Sequence, residues 1–138
     1  TIAPANMFDA SQRQSCRVRV AVTNSPLHAL TTLNDPTFVE AARALAERAM
    51  QNEAGLDARL AWVFARVLAR EPSEPERALL AALFARQHAT FARDPRSAER
   101  FLAVGESPRD GSLDAVGHAA LAASCLAILN LDEAITRE

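Results

Sequence analysis

The sequence predicts an all-α protein: an irregular N-terminal segment over residues 1–22, followed by five to six antiparallel helices in a compact bundle over residues 23–138. Three observations predict it. Alanine and leucine carry the 49% hydrophobic fraction, aromatics make up 5%, tyrosine is absent, and all fifteen basic residues are arginine. Ala, Leu, Arg and Glu head the helix scale, whereas β-branched and aromatic residues lag. Helix-start signals recur, at Ser25-Pro26, Asp35-Pro36, Ser73 with Glu76, and Asp94-Pro95. Between them, apolar residues return at helical spacing, and the short connections make successive helices antiparallel. A chain of this length suits one domain and buries somewhat over ~60% of its unfolded surface, enough for a core without staples.

Taken in order, residues 1–22 contain Pro4, no helical stripe and few core candidates. Arg17-Val18-Arg19-Val20-Ala21-Val22 alternates polar and apolar, the pattern of a short extended segment. Ser25 caps a first helix with Pro26 at its first position and with Leu27, Leu30 and Leu33 at a spacing of three. Asn34-Asp35-Pro36 ends it, since the residue before proline avoids the helical region. Asp35 caps the second helix. Phe38, Val39, Ala42, Leu45, Ala46 and Ala49 form its buried stripe, and Glu40, Arg43, Glu47 and Arg48 its wet face, with Arg43–Glu47 an i,i+4 pair. Gly55 stops it as a C-cap glycine.

Asp57 is read as the cap of the third helix, whose stripe Leu60, Val63, Phe64, Val67 and Leu68 is the cleanest in the chain. Trp62 lies off that stripe. Ser73 and Glu76 form a capping box for the fourth helix, which runs through Leu80, Leu83, Phe84 and Phe91 to Arg93. Asp94-Pro95 starts a shorter fifth helix closed by Gly105. After a polar loop with Pro108 and Gly111, the last long helix starts near Leu113 and is apolar nearly all round from Ala119 to Leu129, which marks it as the most buried. Asp132 caps a final turn.

Charge and motifs exclude several classes. A net charge of −2 with both signs interspersed leaves no basic stripe for nucleic acid. No apolar run approaches the ~20 residues that span a bilayer. Thr1 is not an initiator Met, which suggests a piece of a longer or processed chain. Cys16 and Cys125 form no CxxC motif, and no CxxCH attaches haem to this chain. Cys125 reads as a small core residue; a Cys16–Cys125 disulfide is the alternative in an oxidising compartment. His28, His88 and His118 share no metal-ligand spacing, and His88 falls on the apolar side of its helix as a core or boundary residue. No GxSxG, P-loop or GxGxxG is present. No cofactor is therefore assigned to this chain.

Two features are left over. One is a polar cluster, Asp9, Arg19, Thr23, Asn24 and Asn34, around the launch of the first helix. Caps and turns need these residue types, so turn-building competes with a site. The other is Trp62, a candidate interface residue.

A resemblance bears on both. Phe8-Asp9-Ala10, Cys16-Arg17-Val18-Arg19, the run Thr23 to Leu30, the run Leu33 to Arg43, the hairpin Arg66 to Glu76 and the terminal Leu129 to Glu138 together resemble one family. It is the domain of unknown function at the C-terminal end of planctomycete-type proteins that often also carry a planctomycete cytochrome c domain. The resemblance implies a helical domain of a large exported protein, periplasmic or in the cell envelope. Its partners would be upstream domains of the same polypeptide, with haem in some parents. It implies no known reaction. Asp9, Arg19, Thr23, Asn24, Pro26, Asn34 and Asp35 match the pattern. Val20 and Val22 stand where arginines are frequent, and His28 where glutamine is usual, which weakens an anion-binding role.

Three readings follow: a non-catalytic domain that packs on upstream domains, a contributor of residues from Asp9 to Asn34 to a shared redox or glycan-related enzyme site, and an adaptor for a separate protein. The second needs its polar side chains to converge on an open cleft. The third needs a contiguous apolar groove.

Overall fold

The computed structural model describes residues 26–135, with side chains from residue 29 onward. The irregular segment over residues 1–22, the extended stretch Arg17 to Val22, the Ser25 cap and Cys16 lie outside the described residues. Within them the chain is all-α, with seven helices and no strand. These are α1 (Pro26–Asn34), α2 (Pro36–Asn52), α3 (Leu56–Leu68), α4 (Glu74–Arg93), α5 (Pro95–Leu102), α6 (Ala115–Leu129) and a single turn, α7 (Asp132–Ile135).

The helix α6 is the centre. It packs against α2, α4 and α5 and also touches α1, α3 and α7. Its sequence is apolar all round, so it can bury every side at once. Its two buried polar side chains have local answers: Ser124 Oγ donates to the Ala120 carbonyl at 2.9 Å, and His118 bonds to α2. Asp114 starts α6, one residue later than the sequence suggested, by accepting from Gly117 N at 2.6 Å.

The second wall of the core is α2. Ala42, Ala46 and Ala49 are fully buried in one cluster with Leu121, Ala122, Cys125 and Ile128 of α6. Small side chains on the seam bring the two backbones close. Leu60, Val63 and Phe64 of α3 complete that cluster. A smaller one joins Ala98 and Leu102 of α5 to Ala119. Cys125 is an unbridged core thiol, and burial pushes it well above its ordinary range.

The caps largely follow the sequence. Asp35 accepts from Thr37 N at 2.9 Å, and Asp94 from Ser97 N at 3.3 Å. The carboxylate of Glu76 accepts from Ser73 N at 2.7 Å and from Ser73 Oγ at 2.6 Å. Asp57 differs. The N-cap of α3 is Gly55, with φ of +97°, and Asp57 sits in the first turn facing Arg77 at 3.2 Å. Only a glycine readily takes that φ, so Gly55 starts α3, and α2 ends earlier, at Glu53. His88 also differs: it is exposed, with its ring 5.8 Å from that of Phe84. The cause is α4 itself, which buries no residue fully and packs along a narrow strip that includes Leu80 and Phe84.

Candidate functional site

The first helix is amphipathic in an unexpected sense. Leu30 and Leu33 are 58% and 42% exposed, whereas Thr32 is the residue turned inward. Beside it, Thr32, Phe38 and Leu45 of α2, Val67 and Arg66 of α3, Leu129 of α6, and Ala134 and Ile135 of α7 line a groove of about 550 Å³. Leu131, in the turn between α6 and α7, is also exposed. Among the described residues, Arg66 is the sole charge in that lining. A surface of this composition offers an apolar segment a seat.

Trp62 lies on another side of α3. Its ring is half-buried against the core, and the Arg66 guanidinium sits 4.9 Å from its centroid. It borders a shallow cleft of about 380 Å³ with Glu53, Ala58, Ala61, Ala65 and Glu71. Cation–π contact and core packing account for a tryptophan that falls off the main stripe.

The polar features concentrate elsewhere, under the loop that joins α5 to α6. Four α2 residues on one helical stripe hold that loop. The Glu40 carboxylate accepts from Glu106 N at 3.2 Å, from Ser107 N at 2.8 Å and from Ser107 Oγ. Arg43 Nη2 donates to the Ser107 carbonyl at 2.8 Å. Glu47 accepts from Asp110 N at 3.1 Å, and Gln51 reaches the Asp110 carboxylate at 3.4 Å. The bonds from Ser107 and Glu106 hold the Glu40 carboxyl below its usual range. Arg43, expected on the wet face, is only 2% exposed. Its nearest carboxylate is Glu40, at 3.8 Å, in place of the Glu47 pair the spacing suggested. The loop supplies the cover that makes this side of α2 dry.

A second polar knot ties the far end of the chain to the hairpin between α3 and α4. The Arg70 guanidinium forks onto Glu133 at 2.7 and 2.8 Å and onto Glu76 at 2.8 and 3.0 Å, above the Phe64 ring. Arg70, with Ser73, pulls the Glu76 carboxyl down to about 2, and Arg70 also lowers Glu133.

Of the polar cluster read from the sequence, Asp9, Arg19, Thr23 and Asn24 lie outside the described residues. Asn34 is exposed at the end of α1, where its Nδ2 donates to the Leu30 carbonyl at 2.7 Å. Its amide serves the helix's own terminus. Among the described residues, no group of three or more His, Cys, Asp or Glu could hold a metal ion, and no helix is long and apolar enough to cross a membrane. The groove beside α1 was not singled out by the sequence. Its signal was a leucine stripe at a spacing of three on a short helix, which does not say which way the helix faces.

No curated protein and no solved structure matches the chain. The sequence pattern of one protein family does match, over residues 3–84: PSD1, protein of unknown function (DUF1553).

Proposed function

The chain belongs to the PSD1 family of proteins of unknown function (DUF1553), the family to which the sequence resemblance pointed, and from that premise we propose that it is a non-catalytic packing domain of a larger exported protein. Its docking face is the outer side of α1 with the adjoining groove, and the occupant is an upstream domain of the same polypeptide. The observation that carries this reading is the outward direction of Leu30 and Leu33 on the first helix. Two facts favour an occupant from the same chain. Twenty-five residues precede Pro26. The family match reaches back to residue 3, so those residues belong to the shared pattern. The described chain also leaves through α7, whose Ala134 and Ile135 line the same groove, so both ends of the bundle's path converge there.

Placement in the periplasm or cell envelope, and a haem domain in the parent, belong to this proposal through the resemblance alone. The reading as a shared enzyme site draws no support from Asn34, whose side chain is bound to Leu30.

Amide hydrogen exchange tests the reading. It compares residues 25–138, the 138-residue chain and a longer polypeptide that includes the upstream domains. The expected result is stepwise protection of α1 and of the groove residues as upstream chain is added. Equal exchange of α1 in all three would remove the proposal. Protection only on addition of a separate protein would replace it with the adaptor reading.

A further inference from the structure

We propose that the loop between α5 and α6 is a strap that opens on acidification, with His118 as its trigger. The imidazole is wholly buried beneath α2, and its Nε2 lies 3.1 Å from the Arg43 carbonyl oxygen. A carbonyl only accepts, so Nε2 carries the proton and Nδ1 is a bare acceptor in the neutral ring. Nδ1 has no hydrogen-bond partner among the described residues, and neither has the buried Nε of Arg43. A second proton would therefore place an N–H where nothing accepts it.

The charges around the ring pull both ways: among the described residues, Glu47 of α2 favours that proton, while Arg109 of the loop and Arg43 of α2 oppose it. On its own helix, Asp114 caps α6 through Gly117 N and accepts from His118 N by its carbonyl. No charged group of α4 or α5 is among the described residues that act on the ring. Burial, the largest influence, holds the imidazole below its ordinary value.

The mechanical link lies in shared residues. Arg43 and Glu47, which act on the ring, are also two of the residues that grip the strap, at Ser107 and Asp110. Hydrating a charged His118 means admitting water between α2 and the loop, which loosens those bonds. The open state has an exposed histidine of ordinary pKa, so the closed state loses ground as pH falls below about 6.5, down to the depressed value of the closed state. Over that window one proton is taken up on opening, and the closing equilibrium falls by about tenfold per pH unit.

Amide exchange at Ser107 and Asp110, read with the His118 ring resonances, tests this in the whole chain. Protection should be level above about pH 6.5 and then fall by about tenfold per unit, ahead of the ring's own titration in the closed state. His118→Gln keeps a donor for the Arg43 carbonyl and does not titrate. It should leave protection level until the Glu40 carboxylate, held below its usual range, itself protonates. Level protection in the unaltered chain to about pH 5, or the same slope in His118→Gln, overturns the proposal. If His118→Gln does not fold, the unaltered chain still decides: a ring that titrates while Ser107 stays protected overturns it too.

Discussion

Ala69 is the one non-glycine among the described residues with positive φ, at 57°, where it closes α3. The left-handed region costs an L-residue about 1–2 kcal/mol that glycine escapes. Ala69→Gly should therefore raise stability by about 0.5–1 kcal/mol, after the larger unfolded-state entropy of glycine is subtracted. Chemical denaturation reads this directly; an unchanged or lower midpoint contradicts it. Gly105 is the converse case. Its φ is +99°, and an added Cβ would collide with the Glu40 side chain. Gly105→Ala should lower stability by about 1–3 kcal/mol and release the Ser107 amide, because strain and the displaced latch act together. At this scale the sequence was readable where the physics is local. Asp35, Asp94 and the Ser73–Glu76 box cap the helices they precede. It misled at Asp57, because a positive-φ glycine can start a helix without a side-chain cap. It misled at Arg43, because a polar helical stripe looks the same whether water or a polar loop lies over it.

Between elements, two contacts carry the assembly. The first is the alanine seam of α2 against α6. Overpacking a dense interior costs about 1–3 kcal/mol, so Ala46→Leu should destabilise by that order, read as a lowered thermal midpoint. The second is Arg70, which joins α4 and α7 at one guanidinium. Its two carboxylates are held below their usual range, so their contribution is present above about pH 4.5, the ordinary carboxyl value, and is lost as pH falls through their lowered values, about 2 for Glu76. Arg70→Met should raise both carboxyls, Glu76 only in part because its Ser73 bonds remain, and move the acid unfolding midpoint upward; an unmoved midpoint would show the fork to be idle. The centrality of α6 was legible, because the run from Ala119 to Leu129, apolar nearly all round, has no other stable place. The outward face of α1 and the thin packing of α4 were not. Leu79 is 70% exposed on α4, and no period in the sequence separates an outer leucine from an inner one when alanines surround both.

For the molecule as a whole, acidification should act in two stages: the strap over His118 first, then the carboxylate contacts of Glu40, Glu76 and Glu133. The all-α class was fixed by composition and periodicity. The proposed docking face depends on which neighbour is absent from each helix, a property of the assembly that no local pattern encodes. It rests on α1 turning Leu30 and Leu33 outward. The most direct measurement is the thermal unfolding of the double variant Leu30→Ser/Leu33→Ser in two settings, residues 25–138 alone and the longer polypeptide with its upstream domains. In the short form both leucines face water, and the change should stay within about 0.5 kcal/mol. In the long form the loss should reach about 1.5–3 kcal/mol for each leucine that becomes fully buried. Small and equal effects in both settings would contradict the claim.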